Sequence, residues 1–240
     1  MYPELSGKVA IISGAGGSLG RAVARRLHAE NVRLALIDQR EEALRKVSAE
    51  LGLQQGSVLI GALDLTQKAA VDAFVAQAAA TFGRIDILAN IAGGFAFSGP
   101  VHEMDMGDLD AMLSINTKTA FLLSAAVARA MVGAKTKGRI INVGARAALS
   151  GPAGIAAYSA SKAAVLRLTE SMAAELLEHG ITVNAVLPSV IDTPANRQAM
   201  ADADFSKWVA PESLADVIAF LASDSARDIS GASLPVYGRA

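Results

Sequence analysis

The chain has 240 residues, 52% hydrophobic and 19% charged, which is enough apolar surface for one sizeable core and excludes disorder over most of its length. Lys and Arg number 22 against 23 Asp and Glu, a net charge of -1, so the basic footprint of a nucleic-acid or anionic-membrane binder is missing. Cysteine is absent and the only histidines, His28, His102 and His179, stand far apart, so disulfides, thiolate chemistry and a local zinc motif are excluded and no metal is expected.

In chain order, Lys8 to Ser13 is a short apolar run suited to a strand covered on both faces. Leu19 to Glu30 has helical spacing, with Leu19, Val23 and Leu27 on one face. Val32 to Asp38 predicts a second strand, and Glu41 to Leu51 a helix stopped by Gly52. Strands follow at Val58 to Ala62 and Asp86 to Ile91, with a helix from Gln67 to Phe82 between them. A long helix, Asp108 to Val132, precedes a strand at Arg139 to Gly144. A second long helix, Tyr158 to His179, ends at Gly180 and leads to a strand at Ile181 to Leu187. Pro188 to Val209 reads as polar and irregular, and the stretch 189–210 as a lid. A short helix, Glu212 to Ala222, and a strand, Ala232 to Tyr237, close the chain. This alternation predicts an α/β fold, a doubly wound parallel sheet with helices on both faces, in one domain over 1–240. The opening residues lack a signal pattern and no uninterrupted apolar run reaches spanning length, so the expectation is a cytoplasmic protein without a membrane partner.

The first strand runs into Ser13-Gly14-Ala15-Gly16-Gly17-Ser18-Leu19-Gly20. A glycine turn between strand and helix lets backbone approach a pyrophosphate, and the helix N-terminus supplies free N–H groups. Asp38 follows at a little under the roughly 20 residues expected for an acid that binds the adenosine ribose. There its carboxylate would accept both ribose hydroxyls and repel a 2′-phosphate, favouring NAD(H) over NADP(H). The alternative is that Asp38 caps the next helix, and Arg40 complicates the preference because it could pair with a 2′-phosphate.

With that turn, Asn90-Ile91-Ala92-Gly93 and Tyr158-Ser159-Ala160-Ser161-Lys162 in order, the chain resembles the short-chain dehydrogenase/reductase family over nearly its whole length. The resemblance implies a Rossmann-type sheet of about seven strands and an oxidoreductase that moves hydride between nicotinamide and a small substrate. It assigns Gly14, Gly17, Ser18, Leu19 and Gly20 to the pyrophosphate turn, with Ser18 where the family has glycine. It sets Asp64 and Leu65 beside the adenine, Asn90, Ala92 and Gly93 in the turn after the fourth strand, and Pro188, Ile191 and Thr193 near the nicotinamide carboxamide. Tyr158, Lys162 and Asn116 match its catalytic residues, the first two also touching cofactor.

Tyr158 and Lys162 are four apart and share one helix face. An ammonium beside a phenol favours the phenolate, so the tyrosine pKa is expected below its usual value of about 10. Asn116 falls inside a predicted helix, where asparagine disturbs the ladder and opens room for a proton-relay water. The family's catalytic serine is replaced by Ala145, which cannot donate to a substrate oxygen.

The stretch from Gly144 to Trp208 is similar to dihydropteridine reductase, a branch that also lacks that serine. This implies a planar conjugated substrate such as a quinonoid dihydropteridine. The alternatives are a carbonyl/alcohol dehydrogenase working without the serine, and a non-catalytic NAD-binding regulator. Arg146, Phe95 and Trp208 join Ala145 as candidate substrate contacts, each with a surface or packing role as its alternative. The helices 108–132 and 158–179 are apolar on more than one face, which predicts a homodimer or homotetramer through them.

Overall fold

A computed structural model describes residues 1–54 and 56–239. Seven parallel strands form one sheet in the order β3-β2-β1-β4-β5-β6-β7. They are β1 Val9–Ser13, β2 Arg33–Asp38, β3 Val58–Ala62, β4 Ile87–Asn90, β5 Arg139–Val143, β6 Thr182–Pro188 and β7 Ser233–Val236. Every residue of β1, β4, β5 and β6 is buried, the reason these strands read as continuous apolar runs. On one face, α1 (Ser18–His28) and α2 (Glu41–Glu50) bury Val23, Leu27 and Leu44. The other face is covered by α3 (Lys68–Phe82).

Two short elements and the longest helices complete that layer. The helix foreseen at Asp108 begins earlier, as α4 (Met106–Met112), because the Asp105 carboxylate accepts from the Gly107 N–H at 2.6 Å. A π-turn, Leu113–Lys118, then leads into α5 (Thr119–Gly133). The Thr119 hydroxyl donates to the Ile115 carbonyl at 2.7 Å and the Thr117 hydroxyl to that of Ser161 at 2.9 Å, so side chains stabilise the widened turn. Met106–Gly133 is in fact long and apolar enough to cross a membrane by length and composition, yet half of its most apolar window is buried inside the protein. α6 (Ala156–Leu176) ends in a 3-10 turn and Gly180, whose φ of 69° lies in the left-handed region.

The stretch from Pro188 to Val209 is less irregular than foreseen. Thr193 caps α7 (Pro194–Ala199) by accepting from the Asn196 N–H at 3.1 Å, with Pro194 in the first turn. Ile191 and Val209 form an isolated bridge that ties the two ends of the stretch together. α8 (Pro211–Ala222) then packs beside α1 and buries Leu214 and Ile218.

The strand order reverses between β1 and β4, and their C-terminal ends splay there into a crevice. Ser13 bridges the split: its hydroxyl accepts from the Ile91 and Ala92 N–H groups at 3.0 and 3.1 Å. Below it lies a fully internal polar chain. Asn90 Nδ2 donates to Ser124 Oγ at 2.7 Å and Asn142 Oδ1 at 2.9 Å, and Asn142 Nδ2 donates to Thr169 Oγ1 at 2.8 Å. Two amides therefore pin β4, β5, α5 and α6 at the level of the crevice. Asn142→Leu leaves the Asn90 amide short of an acceptor and should destabilise the protein by about 2–3 kcal/mol. Urea unfolding should show this as a lower midpoint with an unchanged slope.

Candidate active site

The crevice is a cleft of about 540 Å³. Its lining includes Gly14, Gly17, Ser18, Leu19, Gly20, Asp38, Leu65, Ala92, Gly93, Phe95, Lys162 and Ile191 of the residues expected from sequence. At one wall the glycine turn has no spare volume. Gly14 has a φ of 64°, and a Cβ on it would sit 2.9 Å from the Ala92 nitrogen. A Cβ on Gly20 would meet the Gly14 carbonyl oxygen at 2.1 Å. Gly16, missing from the sequence-derived set, is equally tight: a Cβ there would lie 2.7 Å from that of Ala43. Its N–H donates to Asp38 Oδ2 at 3.1 Å. α1 opens directly into this wall with Ser18 exposed at its first position.

Asp38 does not cap α2, whose cap position is Arg40 and has no side-chain bond. Instead its Oδ1 accepts from the Arg40 N–H at 3.1 Å, and the Arg40 Nε stands 3.5 Å from the same oxygen. Asp64 lines no part of the cleft. It is exposed, and its carboxylate accepts from the Thr66 N–H and hydroxyl, both at 2.8 Å, which holds it well below the usual carboxylate range. Thr66 itself lines the cleft, a residue sequence reading missed because the acid beside it carried the motif.

Several other residues of that set have structural partners for their side chains. The Asn90 side chain is committed to the internal polar chain. Pro188 is buried in β6, and the Thr193 hydroxyl is used in capping α7. Asn196 takes the place beside Ile191 in the cleft, its Nδ2 donating to the Ile191 carbonyl at 2.8 Å. Trp208 packs on Phe205, ring centres 4.7 Å apart, and lines no part of this cleft. Arg146 is exposed with its guanidinium over the Tyr237 ring at 5.6 Å.

Lys162 and Tyr158 lie one turn apart on α6; Lys162 lines the cleft, and Tyr158 is set beside Phe95 of its lining rather than in the lining itself. Lys162 is buried, and its Nζ donates to the Val143 carbonyl at 2.9 Å. Loss of solvent pulls its pKa from 10.5 down to about 8. Tyr158 is largely buried with the Phe95 ring edge-on at 5.0 Å, and burial pushes its phenol up from 10 to about 12. The spacing argument is therefore corrected. Helical register does bring the pair to one face, but Lys162 bonds a carbonyl and desolvation of the phenol outweighs any help from the ammonium. Ala145 is buried just beyond β5, and Ser150 is exposed. Asn116, also buried, sits in the π-turn and bonds both the N–H and the carbonyl of Gly94.

Residues 8–204 match the model of the short chain dehydrogenase family. The chain belongs to that family. It is 39% identical over 189 residues to a sorbitol dehydrogenase of Cereibacter sphaeroides, covering 79% of this chain and 72% of that one. Its fold superposes on NAD+-bound xylitol dehydrogenase with a TM-score of 0.89 at 31% identity, covering 98% of this chain and 99% of the other. Levodione reductase gives a TM-score of 0.90 at 30% identity over 97% of both chains. The protein is accordingly an oxidoreductase.

Two outcomes follow from the packing around Lys162. A Cβ on Gly93 would lie 2.6 Å from Asn116 Oδ1 and 3.2 Å from Lys162 Nζ, so Gly93→Ala should lower kcat at least about 100-fold in steady-state assays. Lys162→Met should raise stability near neutral pH by on the order of 2 kcal/mol, because it removes a buried cation. From pH 8 to 10 the unfolded chain holds the lysine proton more firmly than the folded one, so wild-type stability gains from this group as pH rises. That gain should vanish in Lys162→Met when melting curves are compared across the window.

Proposed function

We propose an NAD(H)-preferring reductase whose substrate is a planar conjugated imine, quinone or related carbonyl, such as a quinonoid dihydropteridine. The observation that carries the reading is a lysine buried without a carboxylate partner among the described residues, one helical turn from a largely buried tyrosine, at a cleft walled by glycines. The cleft fits a dinucleotide: a Cβ on Gly14, Gly16 or Gly20 would clash within its first wall, and Asp38 stands at the end of β2 with its carboxylate facing the turn. There the acid would accept the ribose hydroxyls and repel a 2′-phosphate, while Arg40 is drawn toward Asp38. A bound nicotinamide supplies the hydride.

Tyr158 supplies the proton. Burial keeps its phenol protonated at neutral pH, which suits a donor to the substrate nitrogen or oxygen. The Lys162 ammonium balances the negative charge that forms as the phenol proton leaves, and Asn116 keeps the neighbouring turn in place. At Ala145 no hydroxyl steadies a developing alkoxide, so a substrate whose conjugation spreads the charge loses least. Phe95, edge-on to Tyr158 and exposed, offers an apolar ring for stacking against a flat substrate. The segment 189–210 closes over this side as a lid. A second reading, an alcohol or simple carbonyl dehydrogenase, is favoured by the names of the relatives, several of which act on polyols.

Fluorescence titration should give a dissociation constant for NADH at least about tenfold below that for NADPH, with Asp38→Ala narrowing the gap. With NADH, quinonoid dihydropteridine and quinone substrates should turn over faster than polyol-derived ketones, and Tyr158→Phe should remove at least about 99% of the rate. Faster turnover of simple ketones, accompanied by a gain in kcat on Ala145→Ser, would support the second reading instead. We assign the enzyme to the cytoplasm as a homodimer or homotetramer. Phe121 on α5 and Leu177 beyond α6 are more than half exposed and would be covered by a second copy.

A further inference from the structure

The side-chain amide of Asn116 touches two of the segments that meet beside Tyr158 and itself belongs to the third. Its Oδ1 accepts from the Gly94 N–H at 2.9 Å. Its Nδ2 donates to the Gly94 carbonyl at 3.0 Å and to Ser161 Oγ at 3.0 Å. Both amide N–H groups and the carbonyl are thus engaged in a place only 1% open to solvent.

Ser161 is fully buried, and its hydroxyl donates to the Tyr158 carbonyl at 2.7 Å. A hydroxyl has one proton, so toward Asn116 it can only accept. That fixes which way the amide faces. The flipped amide would set its N–H against the Gly94 N–H and its oxygen against the Gly94 carbonyl. The margin for movement is small, because the Gly93 backbone lies between Asn116 Oδ1 and Lys162 Nζ, with a Cβ there 2.6 and 3.2 Å from them.

We propose that Ser161 is a positioning residue: through Asn116 it locks the Gly93–Gly94 turn, the π-turn and the catalytic face of α6 into one register. The proposal rests on the assignment of Tyr158 and Lys162 to proton transfer. Alanine at 161 leaves one buried N–H of Asn116 with only the Met112 thioether, a weak acceptor at 3.9 Å, and frees the amide to swing. Movement there reaches the turn against which the substrate side of the cleft is built and the lysine beside it, with no loss of any group that touches substrate. Orientation errors of this kind appear in kcat more than in cofactor binding.

Three measurements test it. Hydrogen–deuterium exchange of the free Ser161→Ala protein should quicken about tenfold at residues 93–96 and 112–119 and stay unchanged in β5 and β6. With NADH and the fastest substrate found, kcat should fall about tenfold while the KM for NADH stays within about twofold. Asn116→Ala should lower kcat further, and adding Ser161→Ala to it should cost nothing more. Unchanged exchange at those two segments overturns the clamp. A kcat retained within about twofold, or losses that add in the double variant, overturns the positioning role. Exchange needs no substrate, so failure of the clamp and failure of the assigned reaction give different results.

Discussion

Four central strands buried on both faces set the terms for the rest of the molecule. Parallel strands need crossovers, and the crossovers must carry the helices that keep water from both faces. Strand order then has to reverse once, between β1 and β4, because β2 and β3 wind to one side and β5 to β7 to the other. At that point no crossover covers the strand ends. The glycine turn, the Gly93–Gly94 turn and the start of α6 all converge there. The cleft is thus a consequence of covering the sheet.

The same burial governs the chemistry. Lys162 and Tyr158 are driven in opposite directions on the pKa scale by one cause, loss of solvent. The lysine is stabilised by a single carbonyl, that of Val143, at the end of a strand held by the Asn90–Asn142–Thr169 chain. The sheet therefore reaches the site through polar side chains. Asn142 fixes the strand ends, Ser13 closes the split between them, and Asn116 ties the turn above to the helix beside it. Such residues lower the stability available from a purely apolar core and in return define one arrangement of the site.

Ala145, buried just beyond β5, stands where the family resemblance implies a serine. It lies where the strand end would present a hydroxyl, and Ser150 is exposed on the loop beyond. The flat, conjugated acceptor we propose would need less help there than an isolated ketone, and the exposed Phe95 ring stands edge-on to Tyr158. Xylitol dehydrogenase and levodione reductase share this fold at TM-scores of 0.89 and 0.90, so one scaffold serves different substrates.

Alternating apolar runs and helical spacing determined the strands, their parallel winding and most helix boundaries, because burial on both faces writes itself into every strand residue. Gly14, Gly17, Gly20, Asp38 and Lys162, which line the cleft, were legible for the same kind of reason: each sits in a pattern of only a few residues. What tertiary structure alone decided was the partner of each polar group. Asn90 went to the internal chain, Asp64 to its own turn, Trp208 to Phe205, and Lys162 to a carbonyl from a different strand. The π-turn at Asn116 and the Thr193 cap were likewise settled by hydrogen bonds, the first between segments far apart in the chain. A sequence states which groups need a partner when buried. Only the packing of distant segments sets which partner lies within reach.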